Sequence, residues 1–143
     1  MSLDTIKDRF VDEVKSRGKD DRYIDRNEER EILQIAIHQG IGIEAARAAL
    51  AEVCANEGFV VESALLKLIQ EKCDAATANG GMIDRATFES IVESAKTAAL
   101  GRKDDREIRK LAITLMEDRG LDRISTGWFR NWYSALKRDL GIA

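Results

Sequence analysis

Apolar residues recur every three or four positions along most of the chain, which is the spacing of one face of an α-helix. Such stripes predict about seven helices, the second of which runs from about residue 26 to residue 38. The pattern therefore predicts an all-α fold built from helix-loop-helix pairs. We expect a single compact domain over residues 1–143, with 1–79 and 80–143 as its sub-units if it divides.

A short phrase recurs where helices are expected to begin, with an apolar residue directly before a capping side chain. It occurs as Tyr23-Ile24-Asp25-Arg26, Met82-Ile83-Asp84-Arg85, more loosely Arg123-Ile124-Ser125-Thr126, and in a weaker form over Glu57–Glu62. Glu28 follows Asp25 by three residues, so the two predict a capping box. The unequal spacing of the copies indicates related helix-loop-helix units rather than a solenoid.

The third predicted helix, from Ile43 to Ala55, carries small apolar residues nearly all round. A helix without a polar face can pack closely against several neighbours. We therefore expect this helix at the centre of the fold, with Ala46 and Ala49 in close contact with other helices.

Composition agrees with a helical, globular protein. The chain has no proline, 44% hydrophobic residues and 34% charged residues, values typical of folded rather than disordered chains. It contains no long apolar run, and acidic residues stand where a signal peptide needs an apolar stretch. We expect a cytoplasmic protein without a membrane span, in which Cys54 and Cys73 are reduced and buried.

Residues 18–30, GKDDRYIDRNEER, are rich in acidic side chains before an apolar helix, as a calcium loop would be. Aligned as an EF-hand loop with Ile24 at the eighth position, the segment offers oxygen ligands only from Asp21, Asp25 and Glu28. Arg17 and Lys19 stand at the first and third ligand positions, and Arg22 replaces the turn glycine. Cations oppose a bound divalent ion, so the sequence predicts a structural loop and no metal.

The segment Asp21-Arg22-Tyr23-Ile24-Asp25, followed by Glu28-Glu29 and an apolar helix, resembles the acidic helix start of tellurite-resistance TerB-like domains. The resemblance covers roughly residues 3–75, and Arg22 departs from the glycine usual in that family. It implies a bacterial, stress-linked protein with a binding role in assemblies at or near the membrane, rather than catalysis.

Signatures of the common catalytic sites are missing from the sequence. His38 is the only histidine, which excludes a zinc site that needs two imidazoles within one chain. No phosphate-binding glycine loop, HExxH motif or nucleophile elbow occurs. We therefore expect a protein that is not an enzyme and needs no cofactor.

The predicted C-terminal helix concentrates aromatic residues beside cations, a composition typical of interface anchors. The candidate partner-binding residues are Trp128, Arg130, Trp132, Lys137 and Arg138. Aromatic and basic residues fall on different stripes, which favours core burial or a protein partner over stacking on nucleic acid. A second copy of the chain is one such partner, and it would form a homodimer through this helix.

These patterns predict a non-enzymatic protein-interaction module, an adaptor or scaffold whose partner the sequence does not name. Two alternatives remain open. One is a degenerate metal-binding domain of the EF-hand or TerB-like type, and the other is a small helical nucleic-acid binder, for which the basic excess in residues 100–143 is too small to argue alone.

Overall fold

The computed structural model describes residues 3–78, 81–119 and 131–142, with residues 3–7 and 131 as backbone only. The elements in chain order are α1 (Leu3–Gly18), β1 (Tyr23–Ile24), α2 (Arg26–His38), α3 (Ile43–Glu57), β2 (Val60–Val61), α4 (Glu62–Thr77), α5 (Arg85–Ala98), α6 (Asp105–Asp118) and α7 (Asn131–Asp139). Seven helices in the described residues confirm the all-α prediction. The bounds of α2 are those that the sequence predicts.

The chain divides into two compact units, Met1–Ala64 and Leu65–Ala143. The dividing point lies in the first turn of α4, whereas the sequence suggested the glycine-rich stretch near residue 80. The sequence suggested a boundary at that stretch because glycine commonly ends helices.

Aspartates cap three of the described helices. At α2 the Glu28 backbone N–H donates to Asp25 Oδ1 at 2.8 Å, and the Asp25 N–H donates to Glu28 Oε1 at 3.2 Å. This is the predicted capping box. Asp84 and Asp104 accept in the same way at the starts of α5 and α6, each at 2.8 Å.

In the first unit, α1 packs against α2 and α3, and a short parallel ladder joins the loops that follow α1 and α3. Tyr23 pairs with Val60 and Ile24 with Val61. The weak copy of the helix-start phrase is thus the pairing partner of the first copy. Ile24 is 0% exposed and belongs to the core of this unit together with Phe10.

The prediction that α3 lies at the centre of the fold is wrong for one of its faces. Ala46 and Leu50 are buried, and Ala49 packs half-buried against the core, as expected. Ala45 and Ala48, however, are exposed. Alanine is small enough to be either buried or exposed, so the sequence of an alanine-rich helix does not specify which of its faces is exposed to water.

In the second unit, α5 and α6 lie side by side. Phe88, Val92, Ile108 and Ala112 are all 0% exposed and form the apolar faces of these helices. At the edge of the pair, the Arg109 guanidinium donates to both carboxylate oxygens of Glu89 at 2.8 and 2.7 Å. A two-pronged contact of this kind also fixes the orientation of the two side chains.

The close approach of Gly18 to Phe59 yields a stability prediction. A Cβ placed on Gly18 would lie 2.3 Å from a Phe59 ring carbon. The ring must move to admit it, so Gly18→Ala should lower the free energy of unfolding by about 1–3 kcal/mol, measured by urea denaturation.

As a control, Gly18→Ala is also made in the Phe59→Leu variant, which lacks the obstructing ring. There the cost of Gly18→Ala should fall to less than half, because the smaller side chain leaves room for the methyl group. Equal losses in both backgrounds would show that the contact is not the cause.

Candidate partner-binding groove

The acidic loop before α2 uses its carboxylates to hold its own backbone. Asp21 Oδ1 accepts from the Tyr23 N–H at 3.1 Å, while Asp25 and Glu28 form the capping box. Burial raises the pKa of Glu28; the hydrogen bond from the Asp25 backbone opposes that shift, and the charges of Asp25 and Asp21 add to it. These oxygens are therefore committed to the turn and the cap.

No group of three or more histidine, cysteine, aspartate or glutamate side chains within residues 3–78, 81–119 and 131–142 is arranged to hold a metal ion. Asp21, Asp25 and Glu28, the oxygen ligands that the sequence offered, do not form such a group. Their hydrogen bonds give them a structural role.

The predicted C-terminal binding residues fall into two groups. Trp128 and Arg130 lie outside the described residues. Trp132 is half-buried, with its ring centroid 5.5 Å from that of Phe88 and 5.7 Å from that of Tyr133. Its side chain thus packs inside the second unit.

Lys137 and Arg138 differ in their surroundings. Lys137 pairs with Glu117, which also accepts from the Tyr133 hydroxyl at 3.0 Å. Arg138 is exposed. Of the described members of this set, only Arg138 therefore points to a free surface, and the predicted interface on α7 stays a prediction.

A groove of about 750 Å³ runs along the first unit between α1 and α3. Phe10 and Val11 line it from α1, Ala48 and Val53 from α3, and Ile41 from the loop before α3. Phe10 is only 2% exposed, so its ring forms part of the floor. The described lining is mostly apolar, as is usual for ligand and partner sites.

The outer wall of the groove is one face of α3. Ala45, Ala48, Ala49, Glu52 and Asn56 follow one another at steps of three, one, three and four residues, so they share a single helical face. Methyl groups do not extend far enough to close the space above Phe10. The groove exists because alanine occupies this face where larger residues would fill it.

One end of the groove is marked by an ion pair. Lys15 Nζ lies 3.4 Å from Glu57 Oε1, which brings the C-terminal turn of α1 beside that of α3. The two helices therefore have their C-terminal ends at the same end of the groove. Both side chains of the pair are partly exposed, so the contact contributes little to stability.

A second, smaller cavity of about 440 Å³ lies beyond this ion pair and shares Lys15 and Glu57 with the groove. Its lining holds three cations, two carboxylates, a hydroxyl and an aromatic ring. These residues are Lys15, Lys19, Arg22, Asp12, Glu57, Ser16 and Phe59. The cavity is therefore net positive, whereas the groove adds the carboxylate of Glu52 to the shared pair.

Arg22 is held in place by its backbone. Its φ of 56° lies in the left-handed region, which non-glycine residues rarely occupy. Its N–H donates to the Gly18 carbonyl at 2.8 Å, and its carbonyl accepts from the Val60 N–H at 3.0 Å. The guanidinium thus extends from a fixed point beside the second cavity.

Sequence reasoning missed both cavities. The groove could have been suspected from the step pattern of Ala45, Ala48 and Ala49, but the same pattern also suits a buried helix. The second cavity depends on the pairing of β1 with β2, which places Phe59 beside Arg22, and no local pattern specifies that pairing.

The two thiols are buried and unbonded. Burial raises the pKa of Cys54 to about 11, with the charge of Glu29 adding to the effect. Burial likewise raises the pKa of Cys73 to about 11, with Asp74 adding and Arg119 opposing. Both sulfurs are protonated at neutral pH, which makes them poor nucleophiles.

No family model matches the chain, and no curated protein or solved structure is significantly similar to it. Within the described residues, no helix is both long enough and apolar enough to cross a membrane. The resemblance to TerB-like domains therefore stays a prediction from residues 21–29.

The capping role of Asp25 can be tested against a metal-binding role. Asp25→Ala should cost about 1 kcal/mol of unfolding free energy, a typical capping contribution, whereas Asp20→Ala, at an exposed acid in the same loop, should cost much less. Calcium at millimolar concentration should leave the melting temperature of all three proteins unchanged. A calcium-dependent rise that Asp25→Ala abolishes would make the loop a metal site.

The raised pKa values of the thiols predict slow chemical modification. An aromatic disulfide reagent at pH 8 should react slowly with the folded chain, and urea-unfolded chain should release two equivalents, one for each cysteine in the sequence. The rate should follow the unfolded fraction as urea increases. Fast modification of either thiol in the folded protein would contradict the burial of that residue.

Proposed function

We propose that this chain is a non-enzymatic protein-interaction module that binds a segment of a partner protein in the groove between α1 and α3. The observation that carries the proposal is the open, mostly apolar groove, walled by Ala45, Ala48 and Ala49 and floored by Phe10. Apolar surface that remains open to water in a folded protein is typical of binding sites. The first unit supplies this surface from its own helices.

The groove suits recognition better than catalysis. Its polar rim consists of Lys15, Glu52, Asn56 and Glu57, and Lys15 and Glu57 are paired with each other. A general acid or base needs a pKa matched to its task, and the thiols, whose pKa values are raised to about 11, are not part of this lining. Apolar walls with a few polar groups at the edge provide affinity and orientation.

The proposal moves the binding surface away from the C-terminal helix. Trp132 and Lys137 make their contacts inside the second unit, so the proposed function does not include a dimer through α7. We also propose a cytoplasmic location, because two buried thiols without a disulfide suit a reducing compartment.

A position-specific cross-linking experiment tests the groove. A photoreactive phenylalanine analogue at Ala48 should cross-link to a partner in the source cell, because this residue faces the groove. The matched control is the same analogue at Ala51, an exposed alanine of the same helix that does not line the groove and lies about 120° around α3 from Ala45. It should give little or no product.

A second substitution identifies the product as a groove complex. Ala45→Arg introduces a long charged side chain at an exposed position, so it should leave the fold intact and remove the cross-link formed at residue 48. Equal cross-linking from residues 48 and 51, or a product that survives Ala45→Arg, would overturn the proposed function.

A further inference from the structure

The groove and the second cavity form a continuous track with two chemical characters. The groove is mostly apolar along α3 from Ala45 to Asn56, with the carboxylate of Glu52 at its rim, and the track then passes the Lys15–Glu57 pair into a cavity with a net positive charge. An occupant that uses the whole track must be apolar along one side and anionic at one end.

The length and openness of the groove favour a helix as this occupant. The wall from Ala45 to Asn56 extends about 17 Å at 1.5 Å per residue, about three helical turns. Ala45 and Ala48 are exposed, so the groove is open to water on its outer side. The outer face of the occupant therefore stays in contact with water and must be polar. An amphipathic helix has such a face, and alanine walls allow its axis to approach closely.

Two cations beyond the ion pair have no ionic partner among the described residues. Lys19 and Arg22 are both exposed, and both line the second cavity. The backbone of Arg22 is held by hydrogen bonds to Gly18 and Val60, so the point from which its side chain extends is fixed. These two side chains complement carboxylates.

Farther along the groove, the unpaired charge is negative. Glu52 is exposed and has no ion pair within the described residues. An acid placed there would meet repulsion, whereas the lining of the second cavity, with three cations against the carboxylates of Asp12 and Glu57, would attract it. The charges therefore select the position of an acid along the occupant as well as its sign.

Resting on the proposed function, we infer that the groove takes an amphipathic helix of another protein, about three turns long, whose acidic end lies against Lys19 and Arg22. The apolar face of the helix covers Phe10, and its acids reach past the Lys15–Glu57 pair. Electrostatic complementarity at that end determines which helices bind and in which register.

A displayed-peptide selection tests this inference with the full 143-residue chain as bait. The probe is a phage library of helical peptides of about fourteen residues, with a fixed alanine and leucine face and with Glu, Gln or Lys varied at both ends. Wild-type chain should enrich Glu at one end only. Bait carrying Lys19→Glu with Arg22→Glu should enrich Lys at that same end.

Binding of the selected peptides provides the quantitative comparison. Fluorescence anisotropy should show that the acidic peptide binds the doubly reversed variant at least about fivefold more weakly than wild type, as expected for the loss and reversal of exposed charge pairs. The lysine peptide should recover that affinity. The control variant, Arg47→Glu with Lys67→Glu, reverses two exposed cations outside both cavities. Its affinities for the acidic peptide and for the lysine peptide should each differ from those of wild type by less than about twofold.

The remaining outcomes separate this inference from the proposed function. Selected peptides that lose binding with Ala48→Arg but show no charge preference would overturn the acidic end and leave the groove function standing. Peptides that bind regardless of Ala48→Arg, or a selection that enriches none, would overturn both.

Two other occupants would also overturn the inference. Cosedimentation of wild-type chain with phosphatidylglycerol vesicles, lost on reversal of Lys19 and Arg22, would assign the cations to a lipid surface. Self-association that Ala48→Arg abolishes would assign the groove to a second copy of the chain.

Discussion

The parallel pairing of Tyr23–Ile24 with Val60–Val61 is the constraint on which the first unit depends. β1 follows α1 and β2 follows α3, so a parallel ladder requires both helices to end at the same side of the unit. The Lys15–Glu57 contact shows the result. Because the helices are fixed at this end, the space between them remains a groove, and the loops that follow them line the cavity at its end.

A ladder of two residue pairs is too short to be stable alone. It is reinforced by the burial of Ile24 and Tyr23, which are 0% and 1% exposed, and by the bond from the Val60 N–H to the Arg22 carbonyl. Gly18 completes the arrangement, since its lack of a side chain lets the Phe59 ring lie against the end of α1. Each of these contacts joins segments about forty residues apart in the sequence.

That sequence separation explains which features could be predicted. The capping box of Asp25 and Glu28 and the bounds of α2 depend on residues within one turn, where side-chain chemistry determines the backbone. The helix count followed from periodicity. The parallel partner of β1 and the exposed face of α3 depend on tertiary packing, and neither the spacing of Ala45 and Ala48 nor the phrase around Val60 encodes it locally.

The departures of the loop from a calcium site are also the source of the cationic cavity. Lys19 stands where an ion ligand would be needed, and Arg22 stands where the turn would need glycine. Arg17, the third misplaced cation, is neutralised by Glu13 at 2.9 Å and by Glu31. Lys19 and Arg22 have no ionic partner among the described residues and line the second cavity.

Three carboxylates of the same loop are held by hydrogen bonds within the loop. Asp25 and Glu28 cap α2, and Asp21 holds the turn at Tyr23; none of the three forms an ion pair with Lys19 or Arg22. Hydrogen bonds within the loop orient these three carboxylates towards backbone N–H groups, while Lys19 and Arg22 are exposed. The cap and the β1–β2 pairing therefore hold the loop, and Lys19 and Arg22 are the two side chains of the loop that we propose for contact with an acidic partner.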